Sequence, residues 1–312
     1  MMENHLIVTA SPHIVDRSST RKLMGNVIIA LMPCVVASII IFGIRALLVE
    51  AVTVFACVAF EYLYCYLMKK PIPVGDLSAV VTGLILALNL PVSIPLWIAV
   101  LGAFVAIVLA KQLFGGIGFN FVNPALIGRL FLFTAFASRM TAWVFPQSLS
   151  GVDALSSATP LVAGKETALP VIDLLLGVHG GVLGETCSLA ILAGFVWLVA
   201  TRTINITIPV AYVGTVAVLA LVFAGPHTVL LHVLGGGLLF GAVFMATDYV
   251  TSPFTTKGKI IFGIGMGIIT WAIRYWGNMA EGVSYAILLM NLFVPYINDL
   301  TRQKPLGGVK KK

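Results

Sequence analysis

Charge is what this sequence has least of. Of 312 residues, only 10% are Asp, Glu, Lys or Arg, against about 25% in soluble domains. Hydrophobic residues make up 59%, and the mean hydropathy is +1.04. So little charge excludes an ordinary soluble domain and indicates a polytopic membrane protein. Cysteine is scarce as well. Cys34, Cys57, Cys65 and Cys187 form no Cys-x-x-Cys pair, and three of them lie inside apolar runs. A cysteine there is a small buried hydrophobe, so no metal site, iron–sulfur ligand set or disulfide is expected. A dinucleotide-binding glycine fingerprint is also missing. Lys and Arg outnumber Asp and Glu by 19 to 12, but the excess sits in short flanks between apolar runs. That distribution orients a chain in a membrane and does not describe a nucleic-acid surface. Met1 to Thr20 is too polar for a cleaved signal peptide.

What is present is a succession of apolar runs. They cover about Leu23–Ile44, Ala46–Met68, Leu77–Leu90, Ile94–Leu109, Pro124–Ala137, Thr186–Ala200, Ile206–Ala224, Thr228–Ala246, Ile260–Tyr275 and Val283–Ile297. The third is short and is cut off by Pro91 and Pro95, as a half-helix or re-entrant segment would be. An even number of spans puts both ends on one side. Arg17, Arg21, Lys22, Lys69, Lys70, Lys111, Arg202, Lys257, Lys259, Arg302, Lys304 and the terminal lysines then gather there, leaving Arg45, Arg129, Arg139, Lys165 and Arg274 opposite. The asymmetry predicts cytoplasmic N- and C-termini. The expected organisation is a cytoplasmic segment over 1–22, a first five-span half over 23–137, an extracytoplasmic polar loop over 138–185, a second five-span half over 186–300 and a basic cytoplasmic tail over 301–312. The halves are weakly alike. Gly115 to Asn123-Pro124 in one, and Gly235-Gly236-Gly237 to Asp248 in the other, join a glycine-rich break to a short polar string. Five spans per half would make such repeats inverted, with broken helices near the midplane.

Three strings carry chemistry. Asp153-Ala-Leu-Ser156-Ser157-Ala158-Thr159-Pro160 lies in the polar loop. Proline disfavours the helical region for the residue before it, so Thr159 is extended, or caps a helix beginning at Pro160. Its hydroxyl then stands where free N–H groups and the positive end of the helix dipole favour a phosphate; a Ser-rich cap without a ligand is the alternative. Lys111 to Ala125 joins the fourth and fifth runs. Gly115, Gly116 and Gly118 let the backbone approach something flat or bulky, and Asn120 and Asn123 offer amides to bind it. A tight turn between packed helices is the other reading. Arg129, inside the next run, needs an anionic ligand or an internal carboxylate. The third string, Thr247-Asp248-Tyr249-Val250-Thr251-Ser252-Pro253, follows the eighth run. Asp248 among the hydroxyls of Thr247 and Thr251 suits a hard cation such as Na⁺, or simply caps the next segment. Glu61, within the second run, is expected to snorkel toward Lys69 and Lys70 unless it holds a proton.

These strings resemble a known family. Asp153-x-x-Ser156-Ser157-Ala158-Thr159 resembles the flavinylation motif of the RnfD and NqrB families, Asp-x-x-(Ser/Thr)-(Gly/Ser)-Ala-Thr. Gly115-Gly116-Ile-Gly118-Phe-Asn120, Asn123-Pro124-Ala125 and Gly128-Arg129 resemble RnfD segments, as does Phe244-Met-Ala-Thr247-Asp248 through Thr251-Ser252-Pro253. Ile273-Arg274, Glu281-Gly282 and Met290-Asn291 follow in the same order, so the resemblance runs from Ser11-Pro12-His13 to Asp299. It implies an all-α integral membrane protein of about ten transmembrane helices, folded like the urea transporters as two inverted five-helix repeats. It also implies an FMN joined through its phosphate to the Thr159 hydroxyl by a flavin transferase, within the motif of Asp153, Ser156, Ser157 and Ala158. Asn120, Asn123 and Arg129 are further flavin-binding candidates, and a second, non-covalent flavin at a subunit interface is compatible with them. Asp248, Thr247 and Thr251 are the ion-coupling candidates.

The implied function is that of a membrane subunit of the Rnf complex, which passes electrons between ferredoxin and NAD and couples this to translocation of Na⁺ or H⁺. Such a chain catalyses no complete reaction alone; ferredoxin and NAD dock on partner subunits of the A, B, C, E and G types. The implied location is the bacterial cell (inner) membrane, with both termini cytoplasmic and the flavin loop extracytoplasmic. An NqrB-type subunit of the Na⁺-translocating quinone reductase is one alternative, and a urea-transporter-like solute channel the other. NqrB proteins carry a longer N-terminal region, and Tyr249 with Thr251-Ser252-Pro253 fits RnfD better.

Overall fold

Ser19 opens the first helix: its hydroxyl accepts the Lys22 N–H at 3.3 Å, and α1 follows over Thr20–Phe42. The computed structural model describes residues 19–143, 171–177, 179–277 and 282–302. Gly43 ends α1 at φ 77°, a backbone region that disfavours a Cβ, and the chain passes directly into α2, Ile44–Leu67. The short third run forms α3, Ser78–Leu88. α4, Leu96–Phe104, continues through a π-helical turn, Val105–Gln112. Asn123 caps α5, Pro124–Ala135, by accepting the Ala125 N–H at 3.0 Å. Proline in that first position loses nothing, because its missing N–H would have no helical partner. Two short helices, α6, Ala137–Met140, and α7, Val171–Leu176, fall in the polar interval.

The second half repeats this grammar. It comprises α8, Ser188–Ala200, α9, Thr207–Phe223, α10, Val229–Leu234, and α11, Leu238–Phe240, which passes into a second π turn, Gly241–Met245. Thr255 caps α12, Thr256–Trp276, with its hydroxyl on the Gly258 N–H, and α13 spans Gly282–Leu300. Among the described residues all regular structure is helical.

Four helices, α1, α2, α12 and α13, are long and apolar enough to cross a membrane; a fifth span results if Pro226–Leu234 and Leu238–Met245, bent by 59°, count as one. The other apolar helices, α3, α4 with its π turn, α5, α8 and α9, are shorter. Large apolar side chains such as Ile40, Phe55, Val222 and Tyr296 face outward, an arrangement that a lipid surround explains and water does not. The chain is an integral membrane protein built from helices.

Inside lipid, a broken helix must have its backbone satisfied by protein. The break after α3 meets that demand from two sides. The Gly184 N–H donates to Leu88 O at 2.7 Å and the Leu183 N–H to Leu90 O at 3.1 Å. Arg45 Nε donates to Val92 O at 3.0 Å, and the Ser93 hydroxyl donates to Ala142 O at 2.8 Å. Tight packing does the rest. α9 and α12 touch through small residues, where a Cβ on Gly267 would lie 2.5 Å from the Thr215 Cβ. Close backbone approach of this kind is what holds helices together when lipid offers no hydrophobic drive.

Candidate functional site

The two π turns, one from each half, converge on a single cleft. Single-turn π segments interrupt the regular helical ladder and recur at functional sites. Met24 and Val27 at the start of α1, Ser78 and Thr82 of α3, and Leu198 of α8 complete its walls. Asn120, Asn123, Thr247 and Asp248 supply its polar rim. The strings around Asn120 and around Asp248, distant in sequence, are thus brought to one place.

Lys111 forms the floor. It is buried, and its Nζ donates to Glu61 Oε1 at 2.6 Å and to Ser78 Oγ at 2.6 Å. Gln112 Nε2 donates to the same Glu61 oxygen at 2.8 Å. Glu61, expected to reach toward Lys69 and Lys70, turns inward to Lys111 instead. The cause is the π turn, which carries the helix past Leu109 and rotates Lys111 into the core rather than out to the flank. The pair is fully desolvated, so it adds little net stability, but losing one partner would strand a charge. Ser78 passes the network on, its hydroxyl donating to Asp76 Oδ1 at 2.6 Å while the same oxygen caps α3 by accepting the Ser78 N–H at 2.7 Å.

Asn120 and Asn123 behave differently from one another. Asn123 is occupied, capping α5 and donating through Nδ2 to Met245 O at 3.4 Å. Asn120 is buried with its Oδ1 unpartnered within the protein. A buried acceptor without a donor costs roughly 1–3 kcal/mol, so a donor from outside the protein, a water or a bound group, would satisfy it. Asp248 is half-buried at the rim. Its Oδ1 accepts the Val250 N–H at 3.4 Å and its Oδ2 the Thr251 hydroxyl at 3.2 Å. Burial pushes its carboxyl above the ordinary range, and those two bonds pull it back in part. Thr251 therefore orients Asp248, whereas the Thr247 hydroxyl donates to Val243 O at 2.6 Å within its own turn.

Arg129 belongs to a second network, deeper than the cleft. Its Nη2 donates to Glu185 Oε1 at 3.1 Å and its Nη1 to Asn89 Oδ1. An internal carboxylate is therefore its observed counterpart. Glu185 also lies against Gly237, where any Cβ would collide with its carboxylate. The break after α3, the break between α10 and α11, and the middle of α5 are held together by this one pair.

Sequence reasoning missed Lys111 and Ser78 as cleft residues and Gln112 as a second donor to Glu61, and it missed Glu50, buried on α2 and accepting the Ser38 hydroxyl at 2.6 Å. A charged residue inside an apolar run was the available signal for Glu50. The motif Asp153, Ser156, Ser157, Ala158 and Thr159 lies outside the described residues.

The model of the NQR2, RnfD, RnfE family matches residues 7–307. The chain is 44% identical over 318 residues to the D-type subunit of the Na⁺-translocating ferredoxin:NAD⁺ oxidoreductase complex of Acetobacterium woodii, covering 100% of this chain and 98% of that protein. It is 39% identical to the D-type subunit of the proton-translocating ferredoxin:NAD⁺ oxidoreductase complex of Clostridium ljungdahlii, over 98% of this chain and 97% of the relative. It is 38% identical to the D-type subunit of the ion-translocating oxidoreductase complex of Stutzerimonas stutzeri, over 93% of each.

Proposed function

The chain belongs to the NQR2, RnfD, RnfE family, and on that premise we propose that it is the D-type membrane subunit of an ion-translocating ferredoxin:NAD⁺ oxidoreductase, with FMN esterified to Thr159. The observation that carries the proposal is the string Asp153-x-x-Ser156-Ser157-Ala158-Thr159, in a chain similar from end to end to D-type subunits. The named relatives favour this over an NqrB-type subunit or a solute channel. Their names differ in the ion, Na⁺ in one and protons in another, so membership of the family does not fix the coupled ion. The five long or bent spans and five shorter apolar helices support ten crossings in two inverted halves. The contacts of α2 with α4, and of α9 with α12, are the corresponding packings in that scheme.

With cytoplasmic termini, Lys69, Lys70 and Lys257 mark the inner face, and the loop with Thr159 faces outward. The cleft then opens inward, where the start of α1 lies. Asn120 and Asn123 consequently serve a different group from the one at Thr159, and the cleft is the place for a second, non-covalent flavin. Its residues fit one: apolar walls for a flat ring, Asn120 Oδ1 for a ring N–H, Asn123 beside it and Lys111 for ring acceptors. A flavin supplies single-electron transfer; the protein holds it, keeps water away and sets the local charge. Asp248, oriented by Thr251 and flanked by Thr247, is the ion-coupling carboxylate at the rim. Partner subunits bring ferredoxin and NAD, and a flavin transferase matures Thr159.

Thr159→Ala tests the assignment. The fluorescent flavin band on a denaturing gel is expected to vanish while membrane insertion is retained, with partial recovery in Thr159→Ser. A band of undiminished intensity in the alanine variant would refute it.

A further inference from the structure

A hydrogen-bonded chain leads from the surface of one loop to Lys111 in the cleft, and the function proposed for the cleft gives Asp76 and Ser78 no role. Asp76 is half-buried on the loop between α2 and α3. The Ser78 hydroxyl donates to Asp76 Oδ1 at 2.6 Å, and Lys111 Nζ donates to that same hydroxyl at 2.6 Å while lining the cleft. Three proton-carrying groups thus follow one another without a gap. One end reaches the loop surface and the other the cleft.

Purely structural duties do not account for it. The end of α3 needs only Asp76, and Glu61 needs only one cation. An arginine would serve that need as well and would make a better-shaped pair with a carboxylate. Lysine is the basic side chain that can release a proton and take it back, whereas a guanidinium in a protein stays charged. We propose that Asp76, Ser78 and Lys111 form a proton inlet that serves the occupant of the cleft. The proposal rests on the reading of the cleft as a non-covalent flavin site.

The step balances. A flavin held in the cleft would supply single-electron transfer and, once reduced by an iron–sulfur or flavin donor on a partner subunit, would need a proton. Lys111 would release that proton from Nζ toward the cleft, and its neutral amine would take one from the Ser78 hydroxyl. The Ser78 oxygen is reprotonated by the Asp76 carboxyl, which takes its own proton from water. The charged and titratable groups facing Lys111 are Glu61, Cys57 and Cys65 from α2 and Asp76 through Ser78, with Asp248 across the cleft. Glu61 holds the ammonium in place between transfers. Its second oxygen has no partner within the protein, so the carboxylate can follow the change of charge on Lys111.

The test uses the intact complex carrying Thr159→Ala, so that the remaining extractable flavin reports on the cleft. Asp76→Asn keeps the acceptor that caps α3 but cannot carry a proton, and Lys111→Arg keeps the charge beside Glu61. Reduction by dithionite is followed at the flavin absorbance in H₂O and D₂O across pH, alongside an equilibrium redox titration. An inlet predicts that Asp76→Asn retains the flavin and leaves the midpoint potential unchanged. It also predicts that the proton-limited rate falls about 100-fold, the scale of a lost general acid, and that small added acids restore it in Asp76→Asn. Wild-type rates and isotope effects in flavin-loaded Asp76→Asn overturn the inlet. Absence of extractable flavin from the Thr159→Ala complex, with Asn120 and Lys111 intact, overturns the reading of the cleft itself.

Discussion

Among the described residues two buried ion pairs stand out, and they differ in what surrounds them. Lys111 and Glu61 border a cavity beside polar groups still lacking partners, Asn120 Oδ1 among them. Arg129 and Glu185 are enclosed by Asn89, Gly237 and the ends of two broken helices. The residue types follow the difference. A planar, permanently charged guanidinium suits a fixed joint that must satisfy several acceptors, whereas a compact ammonium suits a place where charge or protons change hands. Burial alone therefore does not identify a functional charge. The space next to it does.

The largest effect separating the two is expected at the joint. Arg129→Met leaves Glu185 charged and buried and removes the link between the two breaks, at a cost of about 3–5 kcal/mol. Thermal unfolding of the solubilised complex should show a marked fall in Tm, with much of it regained in Arg129→Met/Glu185→Met. A Tm unchanged by Arg129→Met would break the comparison.

Much of this fold is legible in the sequence, for identifiable reasons. Pro91 with Pro95, and Asn123-Pro124, mark helix boundaries because their backbone chemistry is local, and each falls at or beside an observed break; Gly43, inside the run read as Leu23–Ile44, ends α1 instead. Lys111 reads as a flank lysine because lysines after apolar runs usually are. Its burial depends on a π turn and on Glu61, fifty positions earlier, and neither leaves a trace in local composition. That Arg129 needs an anion is plain from its apolar run. Which anion it meets is decided by the loop before α8 folding back onto α3, a contact between the two halves of the chain.

At the cleft a smaller effect is expected. Glu61→Gln keeps an acceptor for Lys111 and Gln112 but removes the charge, and the neighbouring cavity lets water relieve Lys111. The expected loss is about 1–3 kcal/mol, below that of Arg129→Met in the same unfolding assay. An equal or larger loss would mean that the cleft pair is as enclosed as the joint.

The smallest structural effect is expected at the rim. Asparagine keeps one acceptor, for the Val250 N–H, and its amide N–H can donate to the Thr251 hydroxyl in place of accepting from it, so Asp248→Asn should alter stability by only about 1 kcal/mol. The negative charge is gone, however. Ion transport linked to electron flow should fall while flavin attachment at Thr159 is normal, and unimpaired transport in reconstituted vesicles would reduce Asp248 to a turn residue.

The cleft and the Thr159 loop are expected on opposite faces of the membrane. Single cysteines at Val162 and Lys257, treated with an impermeant thiol reagent in spheroplasts, separate the two faces. Val162→Cys is expected to be labelled, and Lys257→Cys to react only after the membrane is opened. Labelling of both in sealed spheroplasts, or of Lys257→Cys alone, would contradict this placement.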